Sequence, residues 1–108
     1  RMHDQPPETG NLSEAQQRGA ALFQQNCAFC HGADATGKNW IGTFMIPHPR
    51  DLTSATAMVD MTPDRLTQVI EGGLPGTSMP AWGSVLSDSQ IHSIVRYIDA
   101  AFHPLADD

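Results

Sequence analysis

Two cysteines and a histidine stand together in the segment Cys27-Ala28-Phe29-Cys30-His31, and these side chains are the best suited to chemistry. A disulfide across so short a loop removes little entropy from the unfolded chain, so the pair indicates a chemical role. C-x-x-C alone is typical of thioredoxin-like redox proteins and of zinc sites. The first needs a βαβ pattern, which is not visible. The second needs two more ligands, and His48, His92 and His103 do not follow zinc-finger spacing.

The histidine directly after the second cysteine completes C-x-x-C-H, a haem attachment sequence. In such a site each thiol bonds one vinyl group of the porphyrin, and the following imidazole coordinates the iron. We therefore expect Cys27 and Cys30 to bind one haem c covalently, with His31 as an axial ligand. A haem-free thiol redox protein or a zinc protein is the alternative.

Five methionines compete for the second axial position, and Met79 is favoured by its setting. It lies in the loop Gly76-Thr77-Ser78-Met79-Pro80-Ala81-Trp82, where Pro80 prevents a regular helix. Its thioether is soft and neutral, which suits both ferrous and ferric iron. Met58, Met61 or a histidine are the alternatives. Met2 lies in the extended lead, and most of the other methionines are expected to fill gaps in the core.

Three amphipathic helices are predicted to position these residues, at about 14–26, 63–71 and 88–102. Ser13 with Gln16 and Ser87 with Gln90 form capping boxes at the first and third. Thr62 caps the second. Residues 32–61 and 74–86 are rich in glycine and proline and are expected to be loops. Since no segment alternates with a period of two, the predicted fold is all-α, with a domain at 13–108 after an extended lead at 1–12.

Composition limits the possible functions. The 108 residues include nine glycines and eight prolines but seven aromatics, so a thin core is expected, filled partly by something other than side chains. The net charge is −6 and the six basic residues are scattered, which argues against nucleic acid and anionic membrane surfaces as partners. No apolar run is long enough to insert into a membrane.

On these residues the chain resembles the class I c-type cytochromes, in particular the small bacterial monohaem proteins. The resemblance spans about 13–103 and rests on the attachment motif, the helix order and the Met-Pro-x-aromatic loop. It implies three main helices and long loops wrapped around one haem. It also implies that Gly19 and Phe23 cross Ile94 and Tyr97, where the first and last helices meet.

Further site residues follow from the same resemblance. A proline carbonyl, from Pro47 or Pro49, is expected to accept the proximal imidazole N–H. Arg50, in a Pro-Arg-Asp-Leu-Thr stretch, is expected to pair with a haem propionate. Apart from the resemblance, the size and polar N–H of Trp40 and Trp82 suit packing on the porphyrin with an indole N–H reaching a propionate, and ordinary packing under a loop is the alternative for each.

A haem with His and Met ligands has no open position for substrate, which favours electron transfer over catalysis. Redox proteins are therefore the expected donor and acceptor. They would dock transiently at an uncharged haem edge formed by Ala28, Phe29, Ala33, Pro80, Ala81, Trp82 and Gly83. The alternatives are a cytochrome domain of a larger redox enzyme and a haem sensor or enzyme with a labile sixth ligand. A periplasmic location is expected, with no signal peptide or membrane anchor in this sequence.

Overall fold

Helices joined by long loops form the whole of the described structure. The computed structural model describes residues 2–108, and no β-strand occurs among them. The α-helices, in chain order, are α1 (Glu14–Leu22), α2 (Ala28–His31), α3 (Trp40–Thr43), α4 (Ala55–Met58), α5 (Pro63–Gly72) and α6 (Asp88–Ala101). A π-helical turn, Phe23–Cys27, joins α1 to α2, and 3-10 turns lie at Met2–Asp4 and Trp82–Ser84. The predicted all-α class is confirmed.

The predicted helix starts are confirmed by their hydrogen bonds. Ser13 and Gln16 form a reciprocal capping box at the start of α1, and Ser87 and Gln90 form a second at α6. The Thr62 hydroxyl accepts from the Arg65 amide at α5, with Pro63 in the first turn. Each cap satisfies amides that the helix itself leaves unpaired, so local sequence defines where these helices begin.

The first helical segment is longer than predicted, because it does not end at residue 26. The π-helical turn inserts extra backbone at Phe23–Cys27, and the chain then resumes α-geometry through His31. Such turns occur often at functional sites. Here it keeps the whole attachment motif at the end of one continuous helical segment.

The crossing of α1 and α6 forms the centre of the fold. Gly19 packs on the backbone of Ser93, and a Cβ at Gly19 would lie 2.9 Å from the Tyr97 Cβ. The Phe23 ring lies 5.7 Å from the Tyr97 ring and 5.1 Å from the Phe102 ring, centroid to centroid. The predicted crossing is thus confirmed, and it ties the two ends of the domain together.

Residues 32–61 are not structureless, since they contain the one-turn helices α3 and α4. The Leu52 amide donates to the Ala35 carbonyl at 2.8 Å, which folds this segment back on itself. The 3-10 turn near the N-terminus contacts the start of the same segment. The Ala33 amide donates to the His3 carbonyl at 3.0 Å, and His3 Nδ1 lies 2.6 Å from an Asp34 carboxylate oxygen.

Within the described part of the chain, every helix is too short or too polar to cross a bilayer.

Candidate haem site

A cavity of about 640 Å³ lies beside the α1–α6 crossing, and its walls are mostly apolar. This volume is within the usual range of cofactor sites. Its lining includes Cys27, Cys30, His31 and Met79, which come from two distant parts of the sequence. Leu66, Val69 and Ile70 of α5 and Ile94 and Ile98 of α6 line it as well. The cavity therefore gathers the predicted attachment and ligand residues in one apolar space.

The two thiols belong to the helical segment that ends in α2. Cys27 is buried and Cys30 is partly buried, and both are free thiols. Burial and then the neighbouring Cys30 raise the pKa of Cys27 to about 12, and burial raises the pKa of Cys30. Both sulfurs are therefore protonated and neutral at neutral pH, in keeping with the apolar walls around them.

The His31 imidazole is oriented by the backbone of the long loop. Its Nδ1 lies 3.2 Å from the carbonyl oxygen of Arg50. Burial lowers the pKa of His31 and outweighs the opposite effect of that hydrogen bond. A neutral ring that donates its Nδ1 proton to a carbonyl keeps a lone pair on Nε2, which is the form that binds a metal.

This contact corrects the expectation that Pro47 or Pro49 supplies the orienting carbonyl. The acceptor is Arg50, although both prolines line the cavity nearby. Arg50 also lines the cavity, and its guanidinium donates to the Ala57 carbonyl in α4. Arg50 thus uses its backbone for the imidazole and its side chain to connect the loop to α4.

Three methionines line the cavity, namely Met45, Met61 and Met79. Met58 is 1% exposed and belongs to the core, and Met2 is 82% exposed in the N-terminal turn. Met61 is buried, whereas Met79 is partly buried in a loop. The structure therefore brings Met79 and Met61 to the site and leaves Met58 out.

The Met79 loop is held by a compact set of contacts. The Thr77 hydroxyl donates to the Leu74 carbonyl at 2.7 Å and accepts from the Met79 amide at 3.1 Å. The Leu74 amide faces the Met79 carbonyl at 3.3 Å. Gly73 has φ +71°, and a Cβ there would lie 2.8 Å from the Met79 carbonyl oxygen. Since a side chain at Gly73 would collide with the loop, glycine lets the loop pack directly on the end of α5.

The two tryptophans have different environments. Trp82 lines the cavity and is partly buried. Trp40 is not among the lining residues that the structure describes; it is 64% exposed and packs edge to face on Phe44, with ring centroids 5.4 Å apart. The structure therefore does not bring Trp40 to the predicted site.

The predicted docking edge is also only partly assembled. Phe29 is 67% exposed beside the cavity, and Pro80 lines the cavity too. Ala33 is 8% exposed, since it packs beneath the N-terminal turn, so the structure removes it from the surface.

Sequence reasoning missed Met45 and His48 as lining residues. Both lie in the glycine- and proline-rich loop, where no periodic pattern indicates which side chains face inward. Among the described residues, no cluster of three or more His, Cys, Asp or Glu is arranged to hold a metal ion. The zinc alternative therefore finds no ligand set in that part of the chain.

Comparison with known proteins identifies the family. The family described as cytochrome c oxidase, cbb3-type, subunit III matches residues 14–98. The chain belongs to this family of c-type cytochromes. Cytochrome c55X of Paracoccus denitrificans is 31% identical over 93 residues, which cover 86% of this chain and 77% of that protein. The cbb3-type oxidase subunit FixP of Azorhizobium caulinodans is 32% identical over 84 residues, covering 78% of this chain.

Solved structures agree with the fold of this c-type cytochrome. The c-type cytochrome NirC has a TM-score of 0.60 at 26% identity, over 87% of this chain and 100% of that one. The KustC0563 c-type cytochrome has a TM-score of 0.65 at 22% identity, over 79% and 96%. The cytochrome spans 26% of the length of the FixP subunit and 28% of that of the Azospirillum brasilense CcoP subunit. Family membership supports electron transport by haem c.

Proposed function

We propose that this cytochrome carries single electrons between periplasmic redox proteins through one haem, held by Cys27 and Cys30 and ligated by His31 and Met79. The observation that carries the proposal is that all four side chains line the same apolar cavity. When bound, the haem supplies an iron centre that gains and loses one electron. The haem-binding unit is assigned to residues 13–108, with 1–12 as a lead whose first turn contacts Ala33 and Asp34.

Each ligand residue has a chemical state that supports its role. The thiols of Cys27 and Cys30 would hold the group through thioether bonds. His31 is kept neutral by burial, and its Nδ1 contact with the Arg50 carbonyl would leave the Nε2 lone pair available to the iron. Met79 would add a neutral thioether, so neither ligand brings a charge into the apolar cavity. Such ligation favours the reduced state and raises the reduction potential.

The surface near the cavity supports transient docking by apolar contact. Phe29 is exposed there, and Trp82 and Pro80 line the opening without adding charge. Because these residues are uncharged, the net charge of −6 contributes only weak long-range steering of a partner. We therefore expect the rate of electron transfer to depend weakly on ionic strength.

A second candidate is that the chain is the cytochrome domain of a larger redox protein. This is favoured by the FixP and CcoP relatives, of which the chain spans about a quarter. In that case its donor or acceptor would be another domain or subunit of the same complex. The proposed pairing of Arg50 with a haem propionate would apply in either setting.

Absorption spectroscopy of the purified holoprotein tests the proposal. Haem should stay with the chain through denaturing electrophoresis, and the ferric protein should show a Met–iron charge-transfer band. Met79→Ala should remove that band, whereas Met61→Ala should keep it. Loss of the band in Met61→Ala alone would transfer the ligand role to Met61. Rapid carbon monoxide binding by the wild-type ferrous protein would instead indicate a sensor or enzyme with a labile ligand.

A further inference from the structure

Asn39 is the N-cap residue of α3, but its side chain does not cap that helix. An asparagine at a helix N-cap ordinarily accepts a hydrogen bond from an amide of the first turn. Within the described structure, Asn39 makes no such bond. Its Nδ2 instead donates to the carbonyl oxygen of Phe29 at 2.9 Å, in the middle of the attachment motif. The side chain therefore joins α3 to α2.

This orientation leaves a polar atom unpaired. Asn39 is 7% exposed, and its Oδ1 is buried with no hydrogen-bond partner among residues 2–108. A buried acceptor without a partner keeps its full desolvation penalty. If the side chain capped α3, Oδ1 would accept a hydrogen bond from an amide of that helix. The side chain instead donates to Phe29, so the bond to Phe29 replaces the cap.

Asn39 is one of three contacts that cover the C-terminal end of α2. The Gly37 amide donates to the His31 carbonyl at 2.6 Å. Gly42 packs against the Cys30 carbonyl so closely that a Cβ there would lie 2.7 Å from that oxygen and 2.6 Å from Asn39 Oδ1. The carbonyls of Phe29, Cys30 and His31 are thus all contacted by the segment 37–42.

Because α2 ends the helical segment, the carbonyls of its last turn lack partners within the helix and depend on contacts from outside it. The contacts from 37–42 therefore determine the geometry of α2. Cys30 and His31 belong to α2 and Cys27 directly precedes it, so this geometry affects the positions of both thiols and of the imidazole. Among the three contacts, Asn39 is the one made by a side chain.

We propose that Asn39 is a positioning residue for the haem-attachment turn, which it fixes through the carbonyl of Phe29. This inference rests on the proposed function, because it assigns Asn39 an effect on haem attachment and on His31 ligation. Asn39 does not itself line the cavity, and its side chain reaches the attachment motif only through the Phe29 carbonyl. It acts through the backbone.

The test compares Asn39→Asp, Asn39→Ser and Thr43→Ala holoproteins with the wild type. Aspartate has the shape of asparagine and is an equally good N-cap, but it replaces the donor with an oxygen that repels the Phe29 carbonyl. Serine also caps helices but is too short to reach Phe29. Thr43→Ala is the matched control, because the Thr43 hydroxyl donates to the Trp40 carbonyl within α3 and not to α2.

Three measurements read out the turn: the exchange rate of the Gly37 amide, the hyperfine-shifted proton resonances of the ferric protein, and the midpoint potential. In both Asn39 variants we expect exchange roughly fivefold faster, as for loss of one ordinary hydrogen bond. The hyperfine shifts and the midpoint potential of both variants should also differ from the wild-type values. Thr43→Ala should leave all three at the wild-type values. If Asn39→Asp does not yield holoprotein, Asn39→Ser supplies the comparison.

Wild-type values in both Asn39 variants would overturn the inference. So would equal changes in Thr43→Ala, because the effect would then reflect the stability of α3 alone. A better-protected Gly37 in Asn39→Asp would also overturn it, because a stronger cap on α3, and not the bond to Phe29, would then stabilise the turn. Failure of the proposed function gives a different result. In that case the wild-type protein would hold no haem covalently, and this outcome does not depend on the Gly37 exchange rate in the Asn39 variants.

Discussion

Replacing Gly19 with alanine is expected to separate the two helices at the centre of the fold. A Cβ on Gly19 would lie 2.5 Å from the carbonyl carbon of Ser93 and closer still to its oxygen, against 3.4 Å or more for ordinary contact. Because Ser93 meets it with backbone, no rotamer change relieves the clash. The Cβ–oxygen distance of 1.9 Å must grow to at least 3.0 Å, so the helices must move apart by more than 1 Å, which forfeits about half of each contact energy across the gap.

The expected loss of stability follows from two opposing terms. Overpacking against a rigid neighbour costs up to about 3 kcal/mol. Alanine recovers about 1 kcal/mol in helix propensity relative to glycine. The net loss of about 2 kcal/mol should lower the melting temperature by roughly 10 °C in a domain of this size.

Thermal unfolding of the holoprotein, followed by circular dichroism, measures this change. Gly72→Ala is the matched control, because Gly72 also lies in a helix and a Cβ there would meet nothing within 4 Å. That control should be as stable as the wild type or more so, since alanine is the better helix former. A Gly19→Ala protein that melts within about 3 °C of the wild type would refute the close crossing of α1 and α6.

Further changes test the loops around the cavity. Thr77→Val should destabilise the Met79 loop by about 1 kcal/mol, measured as faster hydrogen exchange of the Met79 amide. Thr77→Ser keeps the hydroxyl and should keep the amide protected. Equal exchange rates in the two variants would contradict the hydroxyl bridge. Gly73→Ala should displace that loop and diminish the Met–iron band while helical circular dichroism persists, and an unchanged band would argue against the contact. Burial raises the pKa of Asp34, but hydrogen bonds from His3 and Thr36 outweigh it and lower that pKa below 3.8. The ionised Asp34 therefore stabilises the fold above about pH 4, and this stabilisation is lost in more acid solution. Asp34→Asn should make the melting temperature fall less steeply as the pH is lowered. An unaltered fall would exclude this contribution. Haem-free protein should unfold with little cooperativity, because the cavity would lack its apolar filling, and a sharp native-like transition would contradict this.

The features that local sequence determines were predicted well. Capping boxes at Ser13 and Ser87 depend on residues three positions apart, so the helix starts follow from the sequence alone. The crossing at Gly19 followed from the resemblance, and its closeness is visible in the contact with Ser93.

Features that depend on the tertiary path were not predictable in the same way. The carbonyl that faces His31 belongs to Arg50, and a backbone carbonyl carries no signal of residue type. Trp40 was assigned to the site because of its size and apolar ring, but α3 presents it to solvent beside Phe44. The π-helical turn at Phe23–Cys27 alters the helical period, so a pattern of period 3.6 does not reveal it.

The crossing of α1 with α6 has a consequence for how the chain acquires its structure during synthesis. Gly19 and Ser93 are separated by most of the sequence, so their contact closes a loop of about 70 residues. The attachment motif follows α1 closely, whereas α6, which packs on α1, comes much later in the sequence. The thiols of Cys27 and Cys30 therefore emerge from the ribosome long before the crossing exists, and the chain stays open around them until α6 has been added.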